Sequence, residues 1–98
     1  MAIAAPGEVP RWRARTAIAL ARVLSEAGRP VEGIRVLAGA AMATEDRLLS
    51  GALRWHCGRS MLEAGNVAAA AAAFRRAEED LRAQRARDRA RVRALAGG

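Results

Sequence analysis

Few side chains in this sequence are suited to catalysis. It has one histidine, His56, and one cysteine, Cys57, and the two are adjacent. Neighbours on a helix point about 100° apart, so this pair is not arranged as a nucleophile and its general base. One imidazole and one thiol are also too few ligands for a zinc site. We therefore interpret both residues as structural.

Three consecutive carboxylates, Glu78, Glu79 and Asp80, are the next candidates, because paired carboxylates act as general acids and bases. Arginines lie three or four residues away on the expected helix, a spacing typical of solvated ion pairs. No glycine-rich phosphate-binding loop follows a strand, because no strand is predicted. We therefore expect a protein without enzymatic activity, cofactor or metal.

The composition favours an all-α fold. The chain has 98 residues, 52% of them hydrophobic, which suits one small domain and is too apolar for a disordered chain. Twenty-six residues are alanine, whereas three are aromatic and none is tyrosine. Alanine is the best helix former and a poor filler of cores, so the sequence predicts closely packed helices.

The net charge is strongly basic, at +7, and all 17 basic residues are arginine. A basic excess suits nucleic acid, a membrane surface or an acidic protein partner. Alternatively, abundant arginine and alanine reflect a GC-rich genome, and the charge is compositional; both interpretations stay open. The lone cysteine provides no disulfide framework, and no apolar run reaches the ~20 residues of a membrane span. We expect a cytoplasmic protein that does not enter a membrane.

Periodicity and capping signals predict four helices with short connections, near residues 10–27, 30–43, 45–64, and 67–84 or beyond. Gly28 and Gly65 supply left-handed stops, and Thr44 and Asn66 are the predicted N-caps of the third and fourth helices. Short connections make consecutive helices antiparallel neighbours. Residues 1–9 contain a proline and a glycine and are predicted to form a disordered arm.

The two halves of the chain repeat at a constant offset of 37 residues. Identical pairs at this offset are Arg22 and Arg59, Glu26 and Glu63, Ala27 and Ala64, Gly28 and Gly65, and Ala40 and Ala77. Similar pairs are Leu24 and Met61, Leu37 and Phe74, and Ala21 and Gly58, the last being small residues where helices must approach closely. The sequence therefore predicts one antiparallel helical hairpin used twice, over residues 10–43 and 45–84.

These positions resemble the tetratricopeptide repeat. The family pattern falls on Gly58, Met61, Gly65, Ala70, Phe74 and Ala77 in the second half, and on Ala21, Leu24, Gly28, Gly33, Leu37 and Ala40 in the first. Arg54 and Ala17 replace its early aromatic residue, and its closing proline is absent. The resemblance implies an α-solenoid fragment over residues 10–84, with Cys57 and Leu20 as buried packing residues. Two repeats are fewer than a solenoid usually needs, so a capping helix, self-association or a larger parent chain should supply the missing cover. We favour self-association or a protein partner.

The resemblance also implies a binding groove, because the first helix of each tetratricopeptide hairpin lines the concave surface that holds a peptide or helix. Carried over, the groove residues are Arg15, Ile18, Arg22, Trp55, Arg59 and Leu62. Arg22 and Arg59 would project from equivalent places and, with Trp55, clamp an acidic peptide. The alternative is that each arginine pairs within its own helix with the glutamate four residues on, Glu26 or Glu63.

Residues 85–98 form an arginine-rich end, predicted to be either a solvated extension of the fourth helix or a capping helix whose Val92 and Leu95 touch the core. Its basic residues, with one just before it, are Arg82, Arg85, Arg87, Arg89, Arg91 and Arg93. They could neutralise phosphates, but no aromatic residue lies among them to stack on bases. We expect an adaptor, scaffold or regulatory subunit with an acidic protein partner, and nucleic-acid binding through this end is the alternative.

Overall fold

The computed structural model describes residues 11–97, and every secondary-structure element in that range is a helix. In chain order these are α1 (Arg11–Glu26), α2 (Pro30–Ala43), α3 (Arg47–Glu63) and α4 (Val67–Gly97). The predicted all-α fold is confirmed. None of these four helices has both the length and the apolar character that crossing a bilayer requires. The arm predicted at residues 1–9 lies outside the described residues.

Matching turns connect α1 to α2 and α3 to α4. Gly28 and Gly65 have φ angles of 77° and 83°, a left-handed conformation that glycine adopts without the strain of a Cβ atom. Their N–H groups donate to the carbonyl oxygens of Ser25 and Leu62, at 3.0 and 2.9 Å. In both turns the N–H of the next residue donates to the carbonyl five residues back, as in a Schellman motif. Both predicted stops are confirmed, and the hydrogen bonds of the two turns match at the offset of 37 residues.

The start of α3 differs from the prediction. Asp46, rather than Thr44, is the N-cap of α3, and Thr44 instead follows the last residue of α2. The Asp46 carboxylate accepts hydrogen bonds from the N–H groups of Leu48 at 2.9 Å and Leu49 at 3.2 Å. A carboxylate also interacts favourably with the positive end of a helix, which favours Asp46 over a threonine hydroxyl. The predicted cap of α4 is confirmed, because Asn66 accepts a hydrogen bond from the N–H three residues on.

Small residues set the closest contacts between helices. Within the described range α3 packs against α1, α2 and α4, and α1 also packs against α2. A Cβ atom added at Gly33 in α2 would lie 3.1 Å from the carbonyl oxygen of Ala21 in α1. A Cβ atom added at Gly58 in α3 would lie 2.8 Å from the ring of Phe74 in α4. The close approach predicted at Ala21 and Gly58 is therefore present in both helix pairs.

The main core consists largely of alanine, in keeping with the composition. Its buried residues are Ala14, Ala17, Ala21, Leu37, Ala41, Leu53 and Cys57. Cys57 is buried as expected, but Leu20, its equivalent in α1, is 44% exposed. The expectation for Leu20 was wrong: α3 packs against three other helices, whereas α1 packs against only two, and the side of α1 that carries Leu20 is left exposed.

The arginine-rich end continues α4 without a break. Residues 85–97 are all exposed, and Val92 and Leu95 are among them. This segment is therefore a solvated extension of α4 and not a capping helix. At a rise of 1.5 Å per residue it extends about 20 Å from the packed part of the molecule.

Candidate functional site

A groove between α1 and α3 contains a cavity of about 200 Å³. Its lining residues are Ile18, Ala21, Arg22, Ser25, Glu26, Leu37, His56, Arg59, Ser60 and Glu63. Ala21 and Leu37 are buried and form an apolar floor, whereas the two arginines are exposed at the rim. Above this floor the half-buried Ile18 offers an apolar contact, and the mouth carries charged groups of both signs.

Two arginines act on the same histidine in this groove. Arg22 comes from α1 and Arg59 from the equivalent position of α3. Burial lowers the pKa of the His56 imidazole, and the positive charges of Arg59 and Arg22 lower that pKa further. The positive potential at His56 thus comes from two helices at once. Such a potential attracts an anion, and a guanidinium binds a carboxylate with paired hydrogen bonds.

The glutamates of the groove do not pair with these arginines. Within residues 11–97 the intrahelical ion pairs expected under the alternative interpretation, Arg22 with Glu26 and Arg59 with Glu63, are not formed. Glu63 instead accepts a hydrogen bond from the hydroxyl of Ser25 in α1. The intrahelical interpretation is therefore wrong, and Glu63 ties the end of α3 to the end of α1.

The structure brings together half of the predicted groove residues. Ile18, Arg22 and Arg59 line the cavity, whereas Arg15, Trp55 and Leu62 do not. Trp55 lies against Phe74 of α4, with ring centroids 4.7 Å apart and ring planes inclined by 54°. The two arginines of the predicted clamp therefore share one groove, but its indole lies on the α4 side of α3.

A buried ionic cluster between α3 and α4 was not predicted from the sequence. Asp80 is 3% exposed and accepts hydrogen bonds from Ser50 at 2.8 Å, Arg47 at 3.0 Å and Arg54 at 2.5 Å. Burial raises the pKa of Asp80, but the three hydrogen bonds and the charge of Arg54 outweigh burial and hold this pKa below its ordinary value. Asp80 is thus an ionised structural residue and not the solvated surface charge that we expected.

Helical periodicity contains a signal for this cluster. Asp80 lies three residues after Ala77 and ten after Ala70, both buried, so all three fall on the inward face of α4. The solvated pairing predicted for this acidic segment occurs on the opposite side of α4, where Glu78 and Arg82 lie 4.0 Å apart with both side chains exposed. The carboxylate on the apolar face therefore behaves differently from its exposed neighbour.

Cys57 is a packing residue in this structure. Its Sγ atom lies 3.9 Å from the carbonyl oxygen of Ile34. Burial raises the pKa of the Cys57 thiol, which disfavours the thiolate that nucleophilic chemistry or metal binding would need. In the part of the chain that the structure describes, no three side chains of His, Cys, Asp or Glu are grouped as a metal site would require.

The arginines of the alternative site lie on the exposed part of α4. Arg82, Arg85, Arg89 and Arg93 follow the spacing i, i+3, i+7 and i+11, which places them along one helix face. Arg87 and Arg91 lie on a different face of the same helix. Each of the six is exposed. This helix therefore presents a basic stripe to solvent.

The chain matches no family model, no curated protein and no solved structure. The resemblance to the tetratricopeptide repeat thus depends on the residues and turns of this chain alone. Its function is to be inferred from the groove and from the exposed helix faces.

Proposed function

We propose that this chain is a non-catalytic protein-interaction domain with a tetratricopeptide-like arrangement, and that its α1–α3 groove binds an acidic segment of a partner protein. The observation that carries the proposal is that Arg22 of α1 and Arg59 of α3 line one cavity together with His56. The arrangement is supported by the matching turns and by the packing of α3 against both α1 and α2. A cytoplasmic adaptor, scaffold or regulatory subunit would use such a groove.

Glu26 and Glu63 line the groove beside its two arginines, so the preference for a carboxylate ligand over a neutral one comes from the guanidiniums themselves and from the basic charge of the whole molecule. A net charge of +7 accelerates association with acidic partners, most strongly at low salt. Ile18, which is half-buried, offers an apolar surface to the aliphatic part of an acidic segment. A carboxylate bound between the arginines would raise the pKa of His56, because its negative charge offsets theirs. Binding should therefore tighten as the pH falls and His56 gains a proton.

The test is a titration with a fluorescein-labelled oligoglutamate peptide, comparing two double variants of equal net charge. Arg22→Gln with Arg59→Gln removes the guanidiniums of the groove. Arg11→Gln with Arg35→Gln removes the same charge from exposed positions outside it. We expect the groove variant to bind at least about tenfold more weakly than wild type, and the control variant to change little. An equal loss of affinity in the two variants would show that only the net charge matters for binding, and it would overturn the groove proposal.

The natural partner can be sought with the same variants as baits. Affinity purification from the native host, followed by mass spectrometry, should recover an acidic protein with the wild-type chain. The Arg11 and Arg35 control bait should retain this protein, and the Arg22 and Arg59 bait should lose it. A protein recovered equally by all three baits binds elsewhere on the molecule.

A second candidate function is nucleic-acid binding through residues 85–97, because this helix is exposed along its whole length. An α-helix fits the major groove of duplex DNA, and arginines neutralise phosphates. With a labelled DNA duplex as the probe, changing Arg85, Arg89 and Arg93 to Gln should abolish binding. The salt slope should fall by about one for each phosphate that the helix no longer neutralises. Duplex binding that survives this triple change would exclude the candidate.

A further inference from the structure

One face of α1 exposes an apolar stripe. Trp12, Leu20 and Val23 are 63%, 44% and 59% exposed, and their spacing puts them on the same side of the helix. Single exposed apolar residues are ordinary on protein surfaces, but three on one helix face, interrupted only by Thr16 between Trp12 and Leu20, indicate an interaction site. We call these three residues the α1 stripe.

The equivalents of the α1 stripe in α3 are covered. At the offset of 37 residues, Trp12, Leu20 and Val23 correspond to Leu49, Cys57 and Ser60. Leu49 and Cys57 pack into the core with residues of α1 and α2, and the buried Ser60 lines the α1–α3 groove. The α1 stripe is therefore the counterpart of the surface by which α3 packs against the α1–α2 pair.

The opposite end of the molecule exposes the other half of this interface. Trp55 and Leu62 in α3 are each 48% exposed, and their spacing of seven residues puts them on the same face of the helix. Trp55 lies against Phe74 in α4, which is itself only partly buried. We call these three residues the α3–α4 face. It is apolar and carries the second exposed tryptophan of the described chain.

The residues that lie 37 positions before those of the α3–α4 face contact α3 within the chain. They are Ile18, Ser25 and Leu37. Leu37 is fully buried and Ile18 packs against the core that includes Leu53 and Cys57 of α3. Ser25 donates its hydroxyl hydrogen bond to α3. The α3–α4 face is therefore the counterpart of the surface on which α3 packs.

We infer that copies of this chain associate head to tail, with the α1 stripe of one copy docked on the α3–α4 face of the next. Inside the chain, α3 packs on α1 and α2 through two surfaces that fit each other. The α1 stripe and the α3–α4 face are the exposed counterparts of these two surfaces, so a second copy is the partner that fits each of them. The two surfaces differ, so the contact is heterologous and continues from copy to copy unless the rotation closes a ring. In this contact Arg22 of each copy follows Arg59 of its neighbour in space, so the row of groove arginines continues from one copy to the next.

Charge gives this association a distinctive salt dependence. Each copy carries +7, and like charges oppose association at low ionic strength. Salt screens this repulsion, with a screening length of about 10 Å at 0.1 M and about 3 Å at 1 M. Self-association should therefore strengthen with salt, whereas binding of an acidic ligand in the groove should weaken. Their opposite responses to salt distinguish self-association from ligand binding, and neither process depends on the other.

The test is sedimentation velocity of the full chain at increasing protein and NaCl concentrations. The stripe variant carries Leu20→Glu and Val23→Glu, and the face variant carries Leu62→Glu, all at exposed positions. Trp55→Ala is a second face variant, and circular dichroism checks that each variant retains its helices. Met42→Glu, on the exposed surface of α2 outside both halves, is the control.

We expect the wild type and the Met42 control to increase in mass with concentration. Each docking variant should associate at least about tenfold more weakly than wild type. An equimolar mixture of the stripe and face variants should form a heterodimer, because one intact half remains on each. A wild-type chain that stays monomeric overturns the inference, and so does a mixture that forms no heterodimer. A face variant that still dimerises as wild type would show an α1–α1 contact instead and would also overturn it.

Discussion

Arg54 of α3 and Asp80 of α4 form an ion pair with 2.5 Å between Nη1 and Oδ2, although the Asp80 side chain is almost completely removed from water. Ser50 and Arg47, also on α3, complete its hydrogen bonding. No buried side-chain nitrogen or oxygen within residues 11–97 lacks a partner. A buried carboxylate is tolerated only where its donors are in place. The cluster therefore fixes the position of α4 along α3.

Asp80→Asn should lower the free energy of unfolding by about 2–3 kcal/mol. The neutral amide no longer attracts two guanidiniums, and Arg54 is left partly buried without its counter-charge. Urea denaturation followed by circular dichroism measures the change. Asp88→Asn is the matched control, because Asp88 is exposed on the same helix and accepts a hydrogen bond from Gln84 at 3.0 Å. It should alter stability by less than about 0.5 kcal/mol, and equal effects in the two variants would contradict the role of the cluster.

The lowered pKa of Asp80 makes stability depend on pH in the acid range. An unfolded Asp has a pKa of about 3.9, so the stabilisation is fully present above about pH 5 and is lost as the pH falls through the folded value. The wild-type free energy of unfolding should thus fall more steeply on acidification than that of Asp80→Asn. The two curves should converge at low pH. Curves that stay parallel from neutral to acid pH would show that Asp80 titrates normally.

His56 predicts a second pH dependence, near neutrality. Its pKa is lowered in the folded state, so the unfolded chain binds a proton more readily than the folded chain between the lowered pKa and the ordinary value of about 6.5. Stability should therefore decrease as the pH falls through this window and become level below it. His56 is the only histidine, so His56→Gln should remove this step. Thermal unfolding of the two proteins across this range provides the comparison, and a step that persists in the variant belongs to another group.

Gly33 and Gly39 offer a test of helix approach within α2. At Gly39 a new Cβ atom meets nothing within 4 Å, so Gly39→Ala should stabilise the protein by about 0.5–1 kcal/mol through helix propensity. At Gly33 the same atom would crowd the backbone of Ala21, and Gly33→Ala should destabilise the protein by about 1 kcal/mol. Urea titrations measure the change in the free energy of unfolding for each variant. The difference between the two changes removes the contribution of helix propensity, which is the same at both positions. A similar gain at both positions would mean that α1 and α2 can separate without cost.

The helices and turns were predictable because their signals are local. Gly28 and Gly65 end their helices through a backbone conformation that few other residues adopt, and Asn66 caps α4 through a bond spanning three residues. Thr44 was mistaken for a cap because a better acceptor, Asp46, lies two residues further on. Such errors move a boundary by a few residues and leave the element intact.

The candidate site was only partly predictable because it depends on how helices meet. The offset of 37 residues correctly brought Arg22 and Arg59 to one groove, since equivalent positions in a repeat share an orientation. Trp55 packs with Phe74 and Asp80 pairs with Arg54, and both contacts join α3 to α4 across many residues of sequence. Composition and spacing within one helix contain no information about which partner lies opposite.

The alanine-rich core has a calorimetric consequence. Only Leu37 and Leu53 are large side chains that are fully buried in the described chain, so unfolding exposes less apolar surface than it would from a leucine-rich core. The heat-capacity change of unfolding follows newly hydrated apolar area, and it should fall below the about 1.2 kcal/mol/K typical of a 100-residue domain. A small heat-capacity change flattens the curve of stability against temperature. The domain should therefore lose stability gradually on both warming and cooling, over a range in which a leucine-rich domain of this length changes steeply.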